Sequence, residues 1–295
     1  MSQIIAPRAR LSDFVELTKP RLSMLSVMTA LVGYVAARPP WDGGKLLLLV
    51  MGTALAAGGV AALNQWLEYD TDALMKRTAG RPIPAGKVTR RAALMLGTAL
   101  CLVSVLLLYT LVRPLAALLT AITILWYIGW YTPAKRWSHW STEIGAGAGA
   151  FPPLIGWGAG EGHTTALGWV LFGMLFFWQM PHFMAIAWTY RKDYTAARFP
   201  ILSVRDKTGG RVARWALLNT IVLILVSLLP WLWRFTGWFY PLAAVSAGGW
   251  LLWRTILFQQ PATRDAAARR LFFATITYLP LVLGALVADR LLLAP

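Results

Sequence analysis

The chain has 295 residues, of which 58% are hydrophobic and only 14% charged, and its mean hydropathy is +0.57. Soluble domains lie nearer about 45–50% apolar and about 25% charged, which excludes an ordinary soluble protein and predicts an all-α integral membrane protein. The net charge of +16 does not signal nucleic acid, because the basic residues fall in short stretches between apolar spans, as they do in membrane proteins.

A helix needs about 20 apolar residues to cross about 30 Å of hydrocarbon. Nine stretches qualify in chain order: 22–37, 46–67, 92–112, 114–131, 143–160, 166–189, 213–233, 237–254 and 271–288. Pro114 suits a first helical turn, where a missing N–H costs little. The residues before the first span, Met1 to Pro20, lack an apolar core followed by a small-residue cleavage site, so they read as mature cytoplasmic sequence. The single cysteine, Cys101, lies inside a span and excludes a disulfide framework.

Counting Lys and Arg between spans gives the topology. Of the 28, 23 fall in the N-terminus, beginning at Arg8, and in the even-numbered connections. Arg38, Lys45, Arg113, Arg234 and Arg290 are the five on the other side. This asymmetry predicts a cytoplasmic N-terminus and, after nine spans, a C-terminus outside. No linker divides the chain, so residues 1–295 read as one domain. Of the 16 tryptophans, Trp41, Trp130, Trp137, Trp140, Trp231, Trp233 and Trp238 fall near span ends, as an interfacial belt requires.

The end of the second span holds Asn64, Glu68 and Asp72. A step of four residues turns a helix by about 40°, so the three oxygen-bearing side chains share one face. The chain has only 12 acids, and charges this close to a span should face a cavity, not lipid. Mg²⁺ takes oxygen ligands, typically one or two carboxylates plus substrate phosphates. Arg77, Arg81 and Lys87 follow, suited to the remaining phosphate charge. Asp70 points away, toward the outside.

A second constellation lies at the end of the sixth span: Gln179, His182, Arg191 and Asp193. Asp193 can supply a carboxylate from an opposing wall. His182, ionisable within an apolar span, is a functional candidate by default, with Gln179 three residues before it as a possible partner. Lys135 and Arg136 follow the fourth span and can lean over the same mouth, and Glu143 opens the fifth span as a helix-start acid. Six glycines from Gly145 to Gly160 in that span allow close helix packing or room for a bulky ligand.

Asn64-x-x-x-Glu68-x-x-x-Asp72 with Arg77-Thr78 and Arg81-Pro82 resembles the first Asp-rich motif of the intramembrane prenyltransferase superfamily, which includes the 4-hydroxybenzoate polyprenyltransferases. Tyr131-Thr132-Pro133-x-Lys135-Arg136, Pro152-Pro153-Leu154-Ile155-Gly156-Trp157, Trp178 to Phe183 and Lys192-Asp193-Tyr194 resemble its haem-farnesylating branch. The resemblance covers roughly Lys19 to Arg214. It implies a nine-helix bundle around a central cavity opening to the cytoplasmic side, in a bacterial inner membrane. It implies Mg²⁺, farnesyl diphosphate as donor and haem B as acceptor, with hand-off to a haem A synthase or a terminal oxidase. Asn64, Glu68, Asp72 and Asp193 would hold the Mg²⁺–diphosphate. Arg77, Arg81, Lys135 and Arg191 would pair with phosphate, and His182 would orient the porphyrin or ligate its iron.

Two departures bear on the branch. Glu68 stands where many members have Asp, a longer arm of the same chemistry. Ala197 follows Asp193 by four residues where a paired acid is usual, which favours the haem-modifying branch over benzoate prenylation. The alternatives are another aromatic or tetrapyrrole prenyltransferase and, in a different class, a transporter of an anionic lipid or haem. Transport predicts charged groups near the membrane midplane, whereas these acids cluster at span ends.

Overall fold

The structure is a computed structural model that describes residues 9–292, so Arg8 of the predicted cytoplasmic N-terminus lies outside the described residues. The described chain is helical, with no strand among the described residues. A short α1 (Leu11–Leu17) precedes α2 (Pro20–Ala37), α3 (Gly43–Leu74) and α4 (Arg90–Leu111). Then come α5 (Pro114–Leu125), a π-helical turn (Trp126–Tyr131) and the single turn α6 (Thr132–Ala134), which run on without a break. The rest is α7 (Ser141–Glu161), α8 (Ala166–Thr189), the short α9 (Arg191–Ala196) and α10 (Leu202–Arg205), α11 (Gly210–Leu232), α12 (Phe239–Leu257) and α13 (Arg264–Leu292).

Each of the nine predicted stretches falls on a helix, and Pro114 sits in the first turn of α5 as expected. Seven helices are long and apolar enough to cross a membrane, which makes this a multi-pass membrane protein. The expected count of nine spans is not met by that measure. The two remaining helices are α7, rich in glycine and buried along most of its length, and α12, which carries Arg254 in its last turn. Leucines such as Leu102, Leu106, Leu118, Leu125 and Leu225 are exposed, as lipid-facing side chains must be. Trp41, Trp130, Trp137, Trp140, Trp233 and Trp238 are exposed near helix ends, matching the expected aromatic belts.

Two apolar cores hold the bundle. One gathers Tyr34, Leu49, Leu108, Leu119, Phe151 and Leu154 from α2, α3, α4, α5 and α7. The other gathers Trp157, Leu171, Met174, Leu223, Leu251, Tyr278 and Leu283 from α7, α8, α11, α12 and α13. The helix α7 belongs to both. It can approach α2 closely because Gly33 and Gly156 meet across the contact: a Cβ on Gly33 would strike the Pro153 carbonyl, and one on Gly156 the Ala30 carbonyl. Small residues bring membrane helices together this way.

Polar contacts close the ends. Asp42 caps α3 by accepting the Lys45 N–H at 2.9 Å, and Thr89 caps α4 through the Ala92 N–H at 3.2 Å. Asp289, wholly buried on α13, accepts the N–H groups of Gly237 and Tyr240 at 2.5 and 2.7 Å, and so caps the start of α12. Arg290 beside it donates to the carbonyls of Ala36 and Phe235 at 2.8 and 3.0 Å, tying the last helix to the end of α2. At the other end the basic connections are cross-linked. Arg136 pairs with Asp70 at 2.6 Å, Arg191 with Asp265 at 3.1 Å and Lys87 with Glu16 at 4.0 Å.

Candidate active site

The 32 residues of α3 give a rod of about 48 Å at about 1.5 Å per residue. Hydrocarbon takes up about 30 Å of such a rod, so its last turns, with Glu68 and Asp72, clear the apolar layer. The predicted face is real. Asn64, Glu68 and Asp72 are all buried, at 2%, 4% and 0% exposure, while Asp70 is exposed and spent on Arg136.

Each buried acid meets a cation. Arg81 reaches both oxygens of Asp72, at 2.7 and 2.6 Å. Lys135 stands 2.8 Å from Glu68 Oε1 and donates to Oε2 at 3.2 Å. Burial alone would lower the Lys135 ammonium, but Glu68 more than offsets it and holds it well above its ordinary value. Lys135 also lies 4.5 Å above the Tyr131 ring. The loop that carries Arg81 is folded back by Thr78, whose hydroxyl donates to the Asp72 carbonyl at 2.8 Å. Arg136 is turned to the outer face by Asp70, so of the expected pair only Lys135 leans inward.

Lys19 completes the cluster and was not among the expected site residues. It sits in a left-handed conformation (φ 46°) just before Pro20, and its Nζ lies 3.4 Å from Asn64 Oδ1. Burial, then the neighbouring Arg81 and Lys135, pull its ammonium down to about 7. Asn64 in turn donates to Thr132 at 3.4 Å. A lysine forced against the first span by a proline at helix position N1 was the available signal for it.

The second constellation divides. Tyr194, next to Asp193, accepts a hydrogen bond from Arg77 at 3.4 Å, and the Arg77 guanidinium lies 5.1 Å from the Tyr190 ring centre. Met75 packs with Ala197, Phe199 and Ile201. The two motif loops therefore meet, and Asp193 is half-buried beside that contact. Arg191 is directed elsewhere, to Asp265 and the Trp188 carbonyl. His182 is clasped by α13: Nδ1 is 2.8 Å from the Thr275 hydroxyl, and the ring stacks between Trp178 and Phe272 at 4.9 and 5.0 Å. Gln179 is not its partner. It donates to the carbonyls of Ala146 and Leu175, both at 3.1 Å, because the absence of a side chain at Gly149 draws it toward α7.

Lys19 and Tyr127 stand at one end of an apolar cavity between α2, α3, α5 and α7. It holds about 880 Å³, counting the part open to the outside, and is lined by residues such as Leu22, Ala56, Val60, Ile124 and Pro152. His182 does not line it. The π-helical turn, held by the Thr132 hydroxyl on the Tyr127 carbonyl at 2.9 Å, rotates Tyr127 toward this space. Such turns often mark functional sites.

The donor chemistry fits a hard divalent cation. Among the described residues no three His, Cys, Asp or Glu side chains gather into a metal cluster. Mg²⁺ does not need one, since it binds through one or two carboxylates with waters and phosphate oxygens. Glu68 Oε1, buried and off the hydrogen-bonding direction of Lys135, keeps lone pairs free.

The UbiA prenyltransferase family profile matches residues 26–276. The chain belongs to the UbiA prenyltransferase family. It is 71% identical over 293 residues to the protoheme IX farnesyltransferase of Opitutus terrae, covering 99% of each chain. It is 40% identical to that of Solibacter usitatus, covering 94% of this chain and 98% of the other. Among solved structures, digeranylgeranylglyceryl phosphate synthase superimposes with a TM-score of 0.80 at 16% identity, covering 95% and 98%. A UbiA homologue from Archaeoglobus fulgidus bound to GPP and Mg²⁺ superimposes at 0.64 and 10% identity, covering 95% and 100%. These likenesses carry the fold.

Proposed function

We propose that this UbiA-family protein transfers a farnesyl group from farnesyl diphosphate to a vinyl group of haem B, with Mg²⁺, at the cytoplasmic face of a bacterial inner membrane. The observation that carries the reading is the buried face of Asn64, Glu68 and Asp72, set with Lys135, Arg81 and Lys19, the last of which also lines an apolar cavity. Its 71% identity to a protoheme IX farnesyltransferase supports the choice of substrates. The cytoplasmic placement rests on the Lys and Arg asymmetry.

In this reading Asn64, Glu68, Asp72 and, from the other wall, Asp193 hold the metal–diphosphate head. A bound divalent cation supplies neutralisation of the charge that builds on the leaving diphosphate. Lys135, Arg81 and Arg77 add fixed positive charge at the same place, where it is worth most at the moment the C1–O bond breaks. The apolar walls take the isoprenoid tail and keep bulk water from the allylic cation. The vinyl π-electrons form the new C–C bond, and water then adds to the resulting cation with loss of a proton, leaving a hydroxyethylfarnesyl group. No nucleophilic side chain is required. Arg191 and His182 act at a distance, fixing the end of α8 to α13.

Purified protein with Mg²⁺, farnesyl diphosphate and haem B should yield a more hydrophobic haem by chromatography, heavier by one farnesyl group and one hydroxyl. A chelator should abolish it. Prenylated hydroxybenzoate with no new haem would overturn the acceptor, and uptake of haem without chemical change would favour transport.

A further inference from the structure

The outer face of α12 and α13 carries a feature that the reaction does not use. An apolar groove runs between these helices, lined by Ala243, Ala247, Trp250, Leu281, Gly284 and Ala288. It spans about 930 Å³, counting the part open to the outside. Nothing lies within 4 Å of a Cβ built on Gly284, so the floor there is open. A second hollow lies at the end of the same helix pair, lined among others by Arg254 and Arg270. The two adjoin, because the Arg254 guanidinium lies 5.9 Å from the centre of the Trp250 ring that borders the groove.

Charge sets the occupant. No acid lines either hollow, and among the described residues neither arginine makes an ion pair. The nearby acid Asp265 is committed to Arg191 and to the Trp188 indole, on the side facing α8. Length agrees. From Trp250 to Phe239, the far end of the groove, α12 runs about 16 Å at about 1.5 Å per residue. That is half of an apolar layer about 30 Å thick, the depth of one leaflet.

We propose that the groove between α12 and α13 is a binding site for an anionic phospholipid, with its phosphate between Arg254 and Arg270 and an acyl chain along the groove past Gly284. The guanidinium groups suit a phosphodiester, which each can meet through two N–H bonds. Trp250 gives the chain a flat apolar shelf just below the headgroup. Basic pockets between membrane helices bind anionic headgroups by this arrangement. The arginines lie at the same end of the bundle as the acidic site, since Asp265 on α13 pairs with Arg191 beside the second motif.

Native mass spectrometry of the full chain in detergent, with phosphatidylglycerol or phosphatidylcholine added, tests it. The wild-type protein should carry phosphatidylglycerol in preference to phosphatidylcholine. Replacing both arginines (R254A with R270A) should cut that preference by about tenfold. Gly284→Leu, which keeps both arginines and improves helix propensity, should lower occupancy of the lipid by filling the groove. Equal binding of the two lipids by the wild-type chain would overturn the proposal. So would retention of the preference in both variants.

Discussion

Asp72 and Arg81, nine residues apart, meet at 2.6 Å with the carboxylate wholly out of solvent. Removing the arginine strands a buried charge, and that costs more than the pair itself contributes. Arg81→Ala should therefore lower stability by about 2–3 kcal/mol, discounted because the arginine side chain is 23% exposed. Arg81→Lys keeps a charge but loses the placement of Nη1 between the two Asp72 oxygens, and should fall between. Thermal unfolding in detergent ranks the three proteins. An Arg81→Ala protein as stable as the parent would show that Asp72 finds another partner.

Asp72→Ala should reduce turnover far more than folding. Loss of a group that acts on the developing charge costs about 10²–10³ in rate. Haem product per minute by chromatography reads this directly. Full activity in the variant would remove Asp72 from the proposed site.

Glu68 and Lys135 approach each other at 2.8 Å from elements 67 residues apart. Contacting charged groups are not additive, with couplings of about 0.5–3 kcal/mol. Glu68→Gln and Lys135→Met should each destabilise, and the double variant should lose less than their sum. Additive losses by unfolding in detergent would mean that the pair does not act as a unit.

Asp206 gives a pH dependence. It accepts the N–H of Arg211 at 2.6 Å, the N–H of Val212 at 3.0 Å and the Thr208 hydroxyl at 3.0 Å, at the start of α11. Burial opposes its charge, but these bonds outweigh burial and leave its carboxyl below the ordinary 3.8. A depressed carboxyl stabilises the fold above its unfolded pKa, and the contribution fades as pH falls through the folded one. Asp206→Asn should cost about 1 kcal/mol at pH 7. The gap between parent and variant should close below about pH 3.8. A constant gap across pH 3–7 would rule out the charge as its source.

At Gly156 an added methyl meets the Ala30 carbonyl, and backbone cannot move aside as a flexible side chain can. Gly156→Ala should cost about 1–3 kcal/mol by overpacking. Gly249→Ala, where nothing lies within 4 Å, should be neutral or stabilising, because alanine is the better helix former. Similar melting points for the two variants would remove the close crossing of α2 and α7 as their cause.

Much of this was legible in the chain. The face of Asn64, Glu68 and Asp72 could be read because a helix repeats by fixed geometry and acids are scarce. The span of α8, predicted as 166–189, matches the helix Ala166–Thr189, since Thr165 and Tyr190 bound a mostly apolar run with no Asp, Glu, Lys or Arg. What escaped depends on long-range pairing. Arg191 looked like a phosphate ligand because its partner Asp265 lies 74 residues on. His182 looked available because Thr275, 93 residues away, carries no local signal. The π-helical turn at Trp126–Tyr131 was not legible, because its four aromatics in six residues also suit an ordinary helix at a membrane interface. Lys19 was counted as a topology charge because only the closed bundle brings it to Asn64.

The capping of α12 by Asp289 has a consequence for how the chain comes into being. The first turn of α12 lacks its carboxylate until a residue some fifty positions later has been made. Arg290, which reaches back 254 positions to Ala36, is made in the same instant. Helices α2 to α11 can enter the bilayer and pair with neighbours as they emerge, but the seam between first and last helices stays open until then. Truncation just before Asp289 should therefore leave an unsealed bundle, which quality-control proteases would degrade although its proposed catalytic residues are all present.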